Sequence, residues 1–362
     1  MEDMAALRRA PVALLGAALI LGACSQPPAT PQPRDLNVLL ITLDTTRADH
    51  LSCYADDVVG PVAEGRRGDP AGRPTAGEAS PRPYSKRGAK TPHLDALAAR
   101  GVRFTRAIAQ VPLTLPSHAC MFTGTYPEVH QLRDMGGFVL DPKHLTLAEM
   151  ARTAGFVTAA FAGSKAVGRV YGLQQGFDVY DDQMSWRGQE GQLPGVFAER
   201  RAAVTTDRAI EWLKQHSTQK FFMWVHYYDP HDPYDPPEPY KSAYPKDPYS
   251  GELAYTDEQA GRLLDALDQV KLRERTLVVA LGDHGEGLND HGELTHGIFI
   301  YDDTMRIPFV VAGPEVPQGR VINTQVRTID LLPTIAELLR LPPNPAAQGV
   351  SLWPLITRGQ PI

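Results

Sequence analysis

The sequence predicts an α/β fold with a mostly parallel central sheet and helices on both faces. Three observations carry that reading. The run "NVLLITLD", residues 37–44, is almost continuously apolar, the mark of a strand buried on both faces of a parallel sheet. Apolar strands and amphipathic helices then alternate along the chain, as βαβ units require. At 362 residues, with 43% hydrophobic and 22% charged, the chain can bury a large core and is not a disordered polymer.

The first residues stand apart from that pattern. "MEDMAALRRAPVALLGAALILGAC" places Arg8 and Arg9 before an apolar run from Pro11 to Leu21, then ends in "LGAC". The run is shorter than the ~20 residues a spanning helix needs. Its charged, apolar and small-residue zones read as an export signal over residues 1–23. The ending resembles a bacterial lipobox, with Cys24 as the lipidated residue; an ordinary anchor or a buried apolar helix is the plainer alternative. Ser25 after the cysteine points to the outer membrane of the cell envelope. Residues 24–36, which include "QPPATPQPRD", read as a Pro-rich tether. The expected partners are therefore a membrane, through the lipidated terminus, and a small substrate. The net charge of −6 argues against nucleic acid held by phosphate contacts.

The folded domain spans 37–362. Residues 56–90, rich in Gly, Pro, Arg and Glu, interrupt it as a flexible surface insertion. "TPHLDALAARGVRF" then reads as a helix capped by Thr91, with Leu94, Leu97 and Ala98 on one face. "LTLAEMARTAG" is a helix closed by Gly155, and "FVTAAFA" is a strand. "ERRAAVTTDRAIEWLKQH" is a helix leading into the strand "FFMWVHYYD". "TDEQAGRLLDALDQV" precedes the strand "TLVVALGD"; "IPFVVAGP" is another strand, and "TIDLLPTIAELLRL" is a closing helix. Apart from Cys24 the chain holds Cys53 and Cys120, which sequence leaves as either a pair or two buried thiols.

Three of these strands run out into chemistry. "NVLLITLD" ends in Asp44, "TLVVALGDHG" ends in Asp283 and His284, and "FFMWVHYYDPH" reaches His231. Ligands bind beyond the carboxyl ends of parallel strands, so these residues can meet although distant in sequence. Two carboxylates and an imidazole suit a hard or borderline divalent cation. A single Asp at a strand end is usually a turn or cap residue; Asp-His-Gly after a buried strand is more specific. The stretch "VPLTLPSHACMFTGTYP" adds a helix whose front edge carries Thr114, Ser117 and His118.

The blocks "NVLLITLDTTRADHLSCY", "TPHLDALAARGVRFTRAIAQ", "GLQQGFDVYDD", "DPHDPYDPP", "GELAYTDEQAGRLLDALD" and "GDHGEGLNDHGELTHG" resemble successive blocks of the sulfatase family, in the alkaline phosphatase superfamily. The resemblance runs from about Asn37 to Leu355 and implies an alkaline-phosphatase-like fold. It also implies an enzyme that cleaves anionic esters. Sulfatases carry Cys-x-Pro-Ser-Arg and oxidise the Cys, sometimes Ser, to formylglycine; here the matching residues run from Thr114 to His118. Threonine has a methyl on Cβ and cannot become an aldehyde by that route. It can supply an alkoxide where a metal lowers the cost of deprotonation. Metal-dependent phosphodiesterases and phosphoglycerol transferases of the superfamily are similar in using threonine, so Thr114 is the expected nucleophile.

The same resemblance implies Asp44, Asp283 and His284 as ligands of one divalent metal ion, with the Thr114 oxygen completing the set. Thr45 stands where many sulfatases have a second acid, which makes Mg, Mn or Zn as plausible as Ca. Ser117 is expected as an N-cap or first-turn residue. His118 replaces the family arginine and is either a substrate contact or a surface first-turn histidine. Arg47 pairs with a ligand carboxylate, with the substrate anion, or in an ordinary salt bridge. His231 matches the histidine near the leaving group and is expected to protonate it, with His296 as the alternative donor. His296 stands at a sulfate-binding lysine position and also suits a second metal shared with His291 and Asp290. Lys165, in "GSKAVGR", is what remains of a Gly-Lys-Trp-His block.

Relatives continue into a small C-terminal antiparallel sheet, whereas this sequence stops at "GVSLWPLITRGQPI", as in a minimal variant or a fragment. The expected function is a metal-dependent hydrolase or transferase cleaving a phosphate, phosphonate or sulfate ester through threonine. A sulfatase working without formylglycine is the enzymatic alternative. An inactive lipoprotein that binds anionic glycans or phospholipid head groups is the non-enzymatic one.

Overall fold

The computed structural model describes residues 33–55, 57, 88–184 and 198–362. The export signal, Cys24, most of the tether and nearly all of the 56–90 insertion lie outside the described residues. The described chain forms the mostly parallel α/β sheet that its apolar runs predict. Its strands are β1 Asn37–Leu43, β2 Gly101–Ile108, β3 Val157–Phe161, β4 Val179–Asp181, β5 Phe221–Tyr227, β6 Thr276–Gly282, β7 Arg306–Ala312, β8 Arg320–Ile322 and β9 Val326–Arg327. The sheet order is β4-β3-β5-β1-β6-β7-β2-β8, with β9 also on β2. Among the described strands, only β7 runs antiparallel to its neighbours, β6 and β2.

The helices are α1 Pro92–Ala99, α2 Thr114–Thr123, α3 Pro127–His130, α4 Leu147–Thr153, α5 Ala202–Gln215, α6 Tyr240–Ala243, α7 Pro248–Gln269, α8 Asp302–Met305, α9 Leu331–Leu339 and α10 Trp353–Arg358. Strand β1 is buried along its whole length and sorts its side chains by parity. Val38 and Leu40 join the core under α2, α4, α9 and α10. Leu39, Ile41 and Leu43 join the core under α1, α5 and α7. Each of these leucines, fully withdrawn from water, contributes about 1.5–3 kcal/mol.

Several boundaries differ from the sequence reading, for local reasons. The helix expected over "TPHLDALAARGVRF" ends at Ala99, and "GVRF" opens β2. Gly101 has to be glycine there, because a Cβ would lie 2.1 Å from the Val311 carbonyl oxygen. Thr91 occupies the N-cap position of α1 but its side chain caps nothing. The Asp257 carboxylate of α7 does so instead, accepting from the backbone N–H groups of His93 (3.1 Å) and Leu94 (2.8 Å). Helix α7 starts well before "TDEQ", where Asp247 accepts from Ser250 N–H and Pro248 opens the first turn. Strands β4, β8 and β9 are two or three residues long, too short to leave a period. Cys53 and Cys120 are free thiols; Cys120 is buried with its Sγ 3.4 Å from His130 Nε2.

At the carboxyl end of the sheet, Leu43 pairs with Tyr227 on one side and with Gly282 on the other. Asp44 and Asp283 therefore leave adjacent parallel strands one residue later, side by side.

Candidate active site

Asp44 and Asp283 are fully buried, and each has one oxygen braced and one without a partner. The His226 Nε2–H donates to Asp44 Oδ2 (3.1 Å), while Asp44 Oδ1 has no hydrogen bond. The N–H groups of Thr45 (3.2 Å) and His284 (2.8 Å) donate to Asp283 Oδ1, while Asp283 Oδ2 has none. The tautomers follow from the partners. Gly163 N–H donates to His226 Nδ1 (3.3 Å), so the His226 proton is on Nε2, facing Asp44. His284 donates its Nδ1–H to the Gly285 carbonyl (2.9 Å), so Nε2 presents a lone pair to Asp283 Oδ2 (3.6 Å) and Asp44 Oδ1 (3.9 Å).

Thr114 enters this group from the first turn of α2. Its Oγ1 lies 3.3 Å from His284 Nε2, and its side chain is buried. Ser117, expected as an N-cap or first-turn residue bonding a free N–H, ends the first turn and bonds a carbonyl instead. Its N–H bonds the Leu113 carbonyl (3.0 Å), and its hydroxyl donates to the Asp283 carbonyl (2.7 Å). That bond pins the start of α2 to the end of β6. A second chain holds Thr114 from below. Trp224 Nε1–H donates to Thr42 Oγ1 (2.9 Å), Thr42 donates to His118 Nε2 (3.0 Å), and His118 Nδ1–H donates to the Thr114 carbonyl (2.7 Å). Thr45 supports the same floor from a left-handed backbone, φ +47°, which a β-branched residue adopts only under constraint. Its hydroxyl donates to the Pro230 carbonyl (2.7 Å) and its carbonyl accepts from Tyr249 (2.7 Å).

Burial pushes the Asp44 carboxyl up to about 8, with Glu286 adding to the rise and His296 and the Thr114 hydroxyl opposing it. Burial and then the Asp44 charge push Asp283 well above the carboxylate range. Burial, followed by His296, pulls His284 well below the usual imidazole value. Two buried acids with partnerless oxygens and a lone pair from a neutral imidazole form the donor set that a divalent cation completes. One ligand atom from each lies within 4.8 Å of the others. The residues present therefore fit a metal ion.

A pH dependence follows from the sign of these shifts. Both acids bind protons more tightly folded than unfolded, so the metal-free protein should lose stability as pH rises from 3.8, the unfolded value, toward about 8. A cation displaces those protons, so added metal should raise the melting temperature more at about pH 8 than at about pH 5. Thermal melts with chelator and with metal read this, and equal shifts at the two pH values would contradict the ligand assignment.

The other expected site residues are placed differently. His118 is neither on the surface nor open to substrate; it is fully buried with both ring nitrogens engaged. Arg47 grips both oxygens of Asp49 (3.0 and 2.8 Å) and Asp290 (2.9 Å), leaving it a buried structural cation rather than a substrate clamp. Lys165 donates to the Asp182 carbonyl (2.7 Å) and lies 3.8 Å from the Asp182 carboxylate, so its ammonium is engaged within the protein. The second-metal set does not assemble: Asp290 is paired with Arg47, and His291 stacks on Tyr301 at 4.1 Å. Another group, His118, His226 and Asp283, has the spacing of a cation site. Hydrogen bonds within the protein already occupy both nitrogens of each of its imidazoles.

His231 and His296 do reach the site. The His231 ring stacks on Tyr228 and lies 5.1 Å from His296, whose ring lies 4.4 Å from His284. Their surroundings differ. His231 spends Nδ1–H on the Asp232 carbonyl (2.7 Å), and burial with the His296 charge pulls it down to about 3. Burial also opposes charge on His296, but the Glu286 carboxylate on its Nδ1 (3.2 Å), with Asp44 and Asp283, outweighs that and raises it. The two rings are thus shifted in opposite directions, His231 down and His296 up. Sequence reasoning missed His226 and Glu286. A lone histidine inside the apolar run "FFMWVHYY" was the available signal for the first, and the second was one more acid in "GDHGEG".

Residues 36–341 match the family model described as Sulfatase. The ulvan-active sulfatase of Formosa agariphila is 26% identical over 314 residues, covering 75% of this chain and 61% of that protein. The multifunctional alkaline phosphatase superfamily protein PehA of Trinickia caryophylli is 23% identical, covering 90% of this chain and 78% of that one. The crystal structure of the phosphonate monoester hydrolase of Agrobacterium radiobacter has a TM-score of 0.68 at 22% identity, over 90% of this chain and 78% of that one. At that identity the likeness is one of fold. The chain spans about three-fifths of the length of the first curated relatives it matches.

Proposed function

The chain belongs to the sulfatase family, and from that membership and its site we propose a metal-dependent hydrolase or transferase that cleaves an anionic ester through Thr114. One observation carries the reading. The free oxygens of Asp44 and Asp283 and the lone pair of His284 converge where a helix start delivers the Thr114 hydroxyl. These four residues would hold the cation; bound there, it would supply Lewis acidity that favours the threonine alkoxide and offsets charge on the ester.

The protein's own part is then positional. Ser117 and His118 fix Thr114 by its helix, so its oxygen attacks phosphorus in line with the leaving oxygen. A cation held there would lower the cost of releasing the Thr114 proton to solvent. The dipole of α2 adds positive potential where the anion sits. His296, held by Glu286, gives its proton to the departing alkoxide. The phosphothreonine so formed passes its phosphoryl group to water or to an acceptor alcohol, whose proton goes to His296, regenerating both residues.

Phosphate or phosphonate diesters are favoured over sulfates, because Thr114 cannot form the aldehyde hydrate and the polar groups of Lys165 and His118 are bonded within the protein. The sulfatase alternative uses the same residues on sulfur. The test is turnover of nitrophenyl phosphodiesters, phosphonates and sulfates by metal-loaded protein. Phosphodiester turnover should dominate, and His296→Ala should slow alkyl esters about tenfold or more beyond its effect on nitrophenyl esters, which need little protonation. Dominant sulfate turnover would replace the reading with the sulfatase one. No turnover with metal shown bound would leave a binding protein.

A further inference from the structure

The segment that carries His296 continues into an apolar ridge. Leu294, Ile298, Phe299, Ile300 and Tyr301 are exposed by 72, 78, 42, 78 and 45%. Elsewhere among the described residues the exposed large apolar side chains are scattered, as on ordinary surfaces. Contiguous exposed apolar surface of this kind marks a binding surface.

Two features say what it binds. The ridge is built, because the buried Glu293 carboxylate accepts from Ile298 N–H (2.8 Å) and Phe299 N–H (3.1 Å). The Thr304 hydroxyl bonds the Phe299 carbonyl (3.0 Å), and Gly287 N–H bonds the Thr295 carbonyl (2.6 Å), tying the ridge to the His284–Glu286 segment. It is also continuous with the site. A Cβ on Gly297, φ +98°, would lie 3.0 Å from the side chain of Leu113, the residue before Thr114. His296 faces His284 and Ile298 follows one residue beyond Gly297, so the apolar surface begins where the anion-handling residues end.

We propose that the 294–301 ridge, with Leu113, is a subsite for an apolar substituent of the ester, so that the substrate is amphiphilic: an anionic phosphoryl group at Thr114 carrying an alkyl or acyl-bearing chain. This rests on the proposed site as the place where the anion binds. A purely hydrophilic sugar ester would leave the ridge in water, whereas each methylene laid on it is worth up to about fourfold in affinity.

The experiment compares methylphosphonate with monomeric octylphosphonate on the metal-loaded full chain by calorimetry, alongside turnover of methyl nitrophenyl phosphate. Octylphosphonate should bind at least about tenfold tighter. The double variant Ile298→Ser, Ile300→Ser should bring the two within about twofold while leaving methylphosphonate binding and methyl ester turnover unchanged. Equal affinity for the two probes in the unmodified protein would overturn the subsite, as would an octyl preference that survives both serines. Binding to phosphatidylcholine vesicles without any octyl preference would overturn it in favour of a bilayer-facing surface. An octyl preference lost in the double variant, but without ester turnover, would support the subsite and sink the hydrolase reading.

Discussion

Thr114→Ala is expected to lower turnover of a nitrophenyl phosphodiester by about a thousandfold or more, ~4 kcal/mol of barrier, at saturating metal. The change removes one oxygen from a helix first turn whose position is set by backbone bonds, so the fold should persist. Ser117 still ties α2 to the Asp283 carbonyl, and His118 still holds the carbonyl of residue 114. Metal affinity should weaken only in part, because Asp44, Asp283 and His284 remain. A rate within about tenfold of the parent would mean that threonine is not the nucleophile.

Asp283→Asn should separate function from stability. The amide keeps the shape, and its oxygen can still accept from Thr45 and His284 N–H, but the charge is gone. Metal affinity should fall about a hundredfold or more, and turnover with it. The metal-free variant should nonetheless melt higher than the metal-free parent at about pH 8, by on the order of 1 kcal/mol. It no longer buries two carboxylates beside each other without a cation. Metal titration and melts of both proteins with chelator decide this; a variant that is less stable than the parent without metal would contradict the account of the two acids.

Much of the fold was legible because its signals are long. The buried runs that became β1, β5 and β6 show no alternation, which only a sheet covered on both faces allows, and the ends of β1 and β6 gave Asp44 and Asp283 directly. Short strands such as β9 left no period to read. Within the site, residues that lie next to a strand end or a helix start were readable. Residues whose roles depend on partners from elsewhere were not. Arg47 looks like an anion clamp until Asp49 and Asp290 close on it, and His118 looks like a surface residue until Thr42 and Trp224 arrive from β1 and β5. The different surroundings of His231 and His296 have the same origin. Both are histidines in loops, and only the folded surroundings, burial with the His296 charge against one and the Glu286 carboxylate with Asp44 and Asp283 against the other, pull them apart.

The central claim is a covalent threonine intermediate, and the stereochemical course at phosphorus tests it most directly. A chiral phosphorothioate diester with a nitrophenyl leaving group is cleaved by metal-loaded protein in heavy-oxygen water, and the configuration of the product is read. Two successive in-line displacements, first by Thr114 and then by water, give net retention. Net inversion would mean that water attacks phosphorus in a single step and would contradict the account.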